Sequence, residues 1–491
     1  MAQSARDSCH HRAPMPVSIS QTRTGTSAAH RTLWRWHFYA GLFVMPFLIV
    51  LAITGTIYCF QPQIEPWLYP QLLRVTPQGE PLPAQALLER ARAAAPAGAV
   101  ATTYTLRNDP RASAEFIFRL PSGNSESLYL NPYSGAALGS LSVEDRLMKQ
   151  VRMLHRALLA GKPGEVLMEL AGCWTLVMIA TGLAMWWPRL RESGIAAFRM
   201  RPASGRRGRW KEIHLLLGVS LAIGALLFVL SGLPWTALWG KQFKAITTAA
   251  NLGRPADGGA GHMHAPARDR SNGGDAGQED HRGHTKTMES LPLGDVPWAT
   301  GLTAVPASSV ASTGHAAIGL DRVLAIVRAR GAGPGCQVAL PAGTGSVYAV
   351  SCFPNDPRGE RTLHIDPHGG NIVRDIRYDD YGPIAKAVSY GTSLHMGRYF
   401  GLANQIACAV ISLGLMALAI TGFIMWIKRK PANALGAPSR PASPPPMRAW
   451  VAGLAVLGAI FPLMGITMLV VWMIDRLVAR TAGVPSQPLR R

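Results

Sequence analysis

The sequence predicts an α-helical membrane protein of about five transmembrane helices, built from two parallel repeats, with two small α+β domains on one side of the bilayer. Three observations predict it. The 491 residues are 48% apolar and only 16% charged, against roughly 25% charged in soluble domains, and mean hydropathy is +0.13. Five stretches meet or approach the about 20 apolar residues needed to cross a hydrocarbon core about 30 Å thick. The two halves repeat one another at fixed offsets, the signature to look for first. This composition excludes a disordered chain and a collagen-like fibre, and six cysteines are too few for a disulfide framework.

Along the chain, residues 1–30 read as a disordered N-terminus and 31–60 as the first span, with Phe38–Phe60 free of formal charge. That run is too long for a signal-peptide core and no small-residue cleavage site follows, so it reads as an uncleaved anchor. Residues 61–150 form a first outward domain, with a helix-like run Ala84–Ala95 and a strand-like run ending in Asn131-Pro132-Tyr133-Ser134-Gly135, a turn signal. Residues 151–190 hold an interfacial helix and the second span, Leu170–Trp187, and 191–211 form a short basic loop. Residues 212–240 are the third span, Ile213–Trp239. Residues 241–310 are a Gly- and His-rich insertion with no core-forming pattern, expected to be flexible. Residues 311–382 form a second outward domain, with Leu320–Arg330 as its helix and Asp366-Pro367-His368-Gly369-Gly370 as its turn. Residues 383–430 hold an interfacial helix and the fourth span, Tyr399–Ile427. A Pro-rich linker (431–448), a fifth span (449–475) and a tail (476–491) follow.

Lys and Arg flanking the spans set the orientation. The first 36 residues, the loop Arg189–Lys211 and the segment Lys428–Arg448 are all basic and share one side in a five-span chain, so that side is cytoplasmic. The N-terminus is then cytoplasmic and the large domains are periplasmic, in a bacterial inner membrane. The tail, with Arg476, Arg480, Arg490 and Arg491, opposes this but is outnumbered. The net charge of +21 is therefore mostly topology signal, and no nucleic acid partner is expected.

In the first half His37 is followed by Gly41 and Thr54-Gly55; in the second His214 is followed by Gly218 and Ser231-Gly232, at offsets of 4 and 17 in both. Likewise Leu154-His155 precedes Gly161 and Thr181-Gly182, and Leu394-His395 precedes Gly401 and Thr421-Gly422, at offsets of 6 and 26 from the histidine. Parallel repeats related by an axis along the membrane normal put equivalent residues at equal depth. His37 then lies level with His214, and His155 with His395. One histidine near a span end is ordinarily interfacial. Two matched pairs are what bis-His haem b ligation requires, and Gly41, Gly218, Gly161 and Gly401 would let a flat ring approach. A mononuclear metal site is the weaker alternative, since no Cys or carboxylate joins a pair at fixed spacing. No C-x-x-C-H occurs, which argues against covalent haem.

Taken together, the two H-x3-G…[ST]-G spans, the two L-H-x5-G…T-G-x-x-M-W spans and the run Gly232-Leu233-Pro234-Trp235…Trp239-Gly240 resemble the PepSY-associated transmembrane (PepSY_TM) family over about residues 31–430. The resemblance implies PepSY-like outward domains. It also implies kinship with inner-membrane ferric-siderophore reductases such as ferrioxamine reductase, in which haems carry electrons to a periplasmic iron chelate. By that resemblance His37, His214, His155 and His395 become axial ligands of haem b, two per chain. The protein becomes a transmembrane oxidoreductase whose substrate is a ferric siderophore or other ferric chelate. No nucleotide-binding G-x-G-x-x-G follows a strand, so the electron donor is separate: membrane quinol or a cytoplasmic reductase.

Lesser signals remain. His262 and His264 in the insertion could bind a metal but fit a solvated loop better. His364 and His368 read as surface residues. Cys336 and Cys352 flank two strand-like runs and could pair as a disulfide in an oxidising compartment. Cys59, Cys173 and Cys408 read as span packing. The alternatives are a non-redox binding or sensing protein whose histidines only pack, and an iron or siderophore permease.

Overall fold

The computed structural model describes residues 27–202, 205–253, 286–308, 317–343, 345–431, 436–438 and 445–481. The first half runs α1 Ala28–Cys59, short α2 Gln61–Leu68 and α3 Pro70–Leu73, and α4 Ala84–Ala94. Strands β1 Val100–Thr105, β2 Ala114–Arg119, β3 Ser125–Leu130 and β4 Ala137–Ser142 come next, then α5 Leu147–Ala157 and α6 Gly161–Ser193. The second half runs α7 Gly205–Gly232, α8 Trp239–Ala249, α9 Leu320–Ala329, β5 Cys336–Ala339, β6 Tyr348–Cys352, β7 Arg361–Ile365, β8 Ile372–Arg377, α10 Pro383–His395 and α11 Leu402–Arg429. Two further helices close the chain, α12 Arg448–Ile460 and α13 Pro462–Thr481.

Among the described residues, four helices are long and apolar enough to cross a membrane: α1, α6, α7 and α11. They pack in a ring, α1 against α6 and α11, and α7 against α6 and α11. Contacts use small residues, as expected where lipid is as apolar as any core: Gly224 admits Ile411, and Gly414 admits Leu221. The outward faces keep large apolar side chains such as Ile223, Leu230, Val410 and Leu413.

The fifth span expected over 449–475 is not one helix. The chain breaks at Phe461 and restarts at Pro462, which has no N–H to continue the first helix and sits well at the start of the second. The corner is sharp: a Cβ on Gly458 would lie 3.1 Å from the Cα of Gly465. At 13 residues α12 spans about 20 Å, less than a bilayer core. The side of the tail therefore does not follow from counting to five.

The outward domains are not separate either. All eight strands form a single antiparallel sheet in the order β4-β3-β2-β1-β5-β6-β7-β8. The join is β1 with β5, pairing Thr103 with Ala339, Tyr104 with Val338 and Thr105 with Gln337. An unjoined β1 or β5 would present a bare row of N–H and C=O groups, and pairing removes both edges at once.

Helices α4 and α9 cover one face of this sheet. Each buries residues at helical spacing, Ala84, Leu87, Leu88 and Ala91 on α4, and Leu320, Val323, Leu324 and Val327 on α9. They pack on Phe116, Phe118, Leu128, Leu130, Val350 and Leu363. The two helices also cap each other. The Asp321 carboxylate accepts from the backbone N–H of Ala84 at 2.6 Å, and Gln85 Oε1 accepts from that of Leu320 at 2.9 Å. The predicted turns are Asx turns. Asn131 Oδ1 accepts from Tyr133 N and Asp366 Oδ2 from Gly369 N, and Gly135 and Gly370 follow at φ +72° and +70°, where only glycine sits without strain.

The other face of the sheet looks toward the bundle, and it carries two corrections. The insertion is ordered at both ends: α8 occupies its start, and residues 286–308 lie on the sheet with Met288, Trp298 and Ala299 buried. Their apolar side chains cover Ala339 and Ala349, and Trp298 Nε1 donates to the Pro234 carbonyl at 3.0 Å. His364 is fully buried on this face rather than exposed. Burial and the nearby Arg374 push its pKa down to about 4. His262 and His264 lie outside the described residues.

Candidate functional site: two histidine pairs

The four histidines singled out from the sequence meet in two pairs, each with one ring from either half. His37 on α1 faces His214 on α7, with ring centroids 6.4 Å apart and planes at 87°. His155 on α5 faces His395 on α10 at 6.4 Å and 86°. Along α1, residue 37 belongs to one pair and residue 54 touches the other, so the pairs lie about 25 Å apart along the helix axis at 1.5 Å per residue.

Each ring is anchored through Nδ1 to a hydroxyl of its own half. His37 Nδ1 lies 3.0 Å from Thr181 Oγ1, His155 Nδ1 2.9 Å from Thr54 Oγ1, His214 Nδ1 3.0 Å from Thr421 Oγ1, and His395 Nδ1 2.9 Å from Ser231 Oγ. The tautomer follows from where each hydroxyl spends its proton. Thr54 donates to the Val50 carbonyl at 2.6 Å, Thr181 to Val177 at 2.7 Å, Ser231 to Leu227 at 2.6 Å, and Thr421 to Leu418 at 2.8 Å. With its one proton committed, a hydroxyl can only accept from the imidazole. Nδ1 therefore carries the hydrogen, and Nε2 keeps a free lone pair on every ring. The Leu418 carbonyl, 3.2 Å from His214 Nδ1, asks for the same tautomer. Outside the spans, burial pushes His155 down to about 3 and His395 down to about 4, so both stay neutral.

The glycine after each hydroxyl makes room for the ring. A Cβ at Gly55, Gly182 or Gly422 would lie 3.3 Å from Cε1 of His155, His37 or His214, and one at Gly232 would lie 3.7 Å from Cε1 of His395. Of the other glycines singled out in the repeat, Gly41 faces Met178 and Gly218 faces Leu418, while Gly161 and Gly401 take φ of +60° and +57° at the starts of α6 and α11 with nothing within 4 Å of a Cβ.

Arginines lie on elements adjoining each pair. Near His155 and His395, Arg152 Nη1 donates to Asp295 at 3.0 Å and Arg398 lies 3.8 Å from the same carboxylate, with Arg156 next in sequence to His155. Near His37, Arg429 stacks over Trp34 at 4.7 Å and Phe38 at 5.1 Å. Cys336 and Cys352 sit directly opposite each other on β5 and β6 and are joined as a disulfide.

The hydroxyl positions were visible in the sequence only as repeat markers. Nothing in the sequence says that Thr54 serves His155 rather than His37, its neighbour on the same helix. Among the described residues no group of three or more His, Cys, Asp or Glu side chains is placed to hold a bare metal ion. Each site thus offers two neutral imidazoles and nothing more. Two facing imidazoles with free Nε2 lone pairs are a donor set that fits a metal held between two rings.

A search of the curated proteins gives no match. A family model described as the PepSY-associated TM region matches residues 34–429, from the start of α1 to the end of α11. With four helices able to cross a bilayer and a match over most of its length, the chain is a membrane protein of the PepSY-associated TM region family.

Proposed function

We propose that this protein holds two b-type haems and passes electrons through the membrane to a ferric chelate, such as a ferric siderophore, which releases iron as Fe(II). The observation that carries this reading is the pair of imidazole pairs at 6.4 Å, each ring with Nδ1 anchored and Nε2 free. His37 and His214 would hold one haem, and His155 and His395 the other. When bound, haem supplies a one-electron Fe(III)/Fe(II) couple at each level. The chain's own residues do the rest. Thr181, Thr421, Thr54 and Ser231 fix ring orientation and raise the basicity of Nε2, as outer-shell partners of metal-bound histidines do. Arg156, next to His155, would favour an anionic group of a bound haem. The aliphatic walls of α1, α6, α7 and α11 exclude water. No nucleotide-binding motif is present in the sequence, so the donor is a membrane quinol or a separate reductase. The basic residues of the loop between α6 and α7 support a cytoplasmic position for that side of a bacterial inner membrane, with the sheet in the periplasm.

The test is a reduced-minus-oxidised absorbance spectrum of purified protein, with haem counted per chain. Two b-type haems are expected. His37→Ala should remove one and leave the other, and His155→Ala the converse. A colourless protein after expression with ample haem overturns the proposal and leaves a non-redox binding or sensing role.

A further inference from the structure

We propose that Cys59 and Cys408 form a second redox element, a reversible disulfide that staples α1 to α11 beside His395. The two residues are 349 positions apart in the chain, and the fold brings both to the carbonyl that ends α10. Both sulfurs rest on one carbonyl, that of His395, Cys59 Sγ at 3.9 Å and Cys408 Sγ at 3.7 Å. Cys59 ends α1 and Cys408 lies in the second turn of α11, so a bond between them joins two span ends. The repeat does not account for the pair. The positions equivalent to Cys59 and Cys408 in the other half are Thr236 and Met168.

Access separates the roles of the two thiols. A cavity of about 210 Å³, lined by Cys59, Gln61, Gln63, Asn355 and Arg398 among others, opens at the sheet side, and Cys408 is not part of its wall. The same side already holds the Cys336–Cys352 disulfide, so it is a compartment where thiols oxidise. The oxidant class that fits a cavity of this size is a hydroperoxide. The Cys59 sulfur attacks one peroxide oxygen, the O–O bond breaks, and sulfenic acid and water (or an alcohol) form. Cys408 then displaces hydroxide from that sulfur, an S–S bond forms and a second water leaves. Two thiols are oxidised by two electrons, and the peroxide takes up both electrons and both protons. A dithiol reductant reverses the change by exchange.

Full-length protein in detergent, reduced and freed of reductant, would be exposed to hydrogen peroxide, its remaining thiols blocked, and its peptides read by mass spectrometry. The expected product is a Cys59–Cys408 linked peptide that appears with peroxide and is lost with dithiothreitol, while Cys173 stays reduced. In Cys408→Ser the sulfenic acid should persist on Cys59 and take up dimedone. In Cys59→Ser, Cys408 should not label. An intact Cys336–Cys352 link in each variant controls for folding. No linked peptide in the wild-type chain, or oxidation of Cys173 as fast as that of Cys59, overturns the proposal. The readout requires no haem, so it stands or falls separately from the reductase reading.

Discussion

Each paired histidine has its Nδ1 occupied and its ring edge accommodated by a two-residue motif. The hydroxyl of each Thr/Ser-Gly pair takes the Nδ1 proton and the glycine beside it admits the ring edge. Thr181→Val should remove the hydroxyl acceptor of the buried His37 N–H, a loss of about 1–3 kcal/mol. Haem affinity at that site should fall by about 10–100-fold, read by competition with apomyoglobin, with the other site unchanged. Gly182→Ala and Gly422→Ala should act on the same pair by pushing the rings, and both should broaden its low-spin electron paramagnetic resonance signal. The histidines were legible in the sequence because two copies at fixed offsets are improbable by chance. Which hydroxyl serves which ring was not legible, because His37 is paired with Thr181 across 144 residues. The buried setting of His364 was also missed: its strand pattern reads the same whether the face below is open or covered by residues 286–308.

At the scale of elements, amphipathic spacing gave α4 and α9 directly, and their apolar faces are the ones buried. Their mutual capping was not predictable, since it depends on where the two halves meet. Asp321→Ala should uncap α4 from the neighbouring helix and lower stability by about 1 kcal/mol, measured as a drop in thermal midpoint. On the opposite face Glu115 is buried with Arg107 at 2.8 Å and Arg146 at 2.9 Å, and Tyr129 donates to it at 3.0 Å. Burial alone would raise its pKa, but the two guanidinium groups outweigh burial and bring it down to about 2. The folded state therefore favours the carboxylate. That contribution is complete above the ordinary glutamate value of 4.5 and is lost as pH falls through about 2. Glu115→Gln should cost about 3 kcal/mol at neutral pH. It should also flatten the acid limb of a plot of melting temperature against pH below 4.5, whereas an unchanged limb would show that Glu115 does not govern it. The break at Phe461 shows where apolar length misleads: 26 uncharged residues promise a span, but Pro462 starts a new helix.

For the molecule as a whole, composition identified a membrane protein, and the four apolar helices and the family match over residues 34–429 agree. What sequence could not show is that the halves share one sheet, because a strand carries no mark of being an edge until its partner is known. The β1–β5 join and the crossed capping of α4 and α9 make the two halves one folding unit at the sheet, while α1 and α7 each lend one imidazole to a common pair. Membranes washed with alkaline carbonate should retain the protein fully, and release would contradict the four-helix assignment.

Because every ring pair draws one member from each half, neither half owns a complete pair. Severing the chain in the loop between α6 and α7 should give two fragments that are each colourless when expressed alone. Co-expressed, they should recover colour by complementation. Cofactor uptake would then act as an assembly checkpoint, completed only when both halves have docked, and a chain arrested after its first half would be unable to retain haem in the membrane.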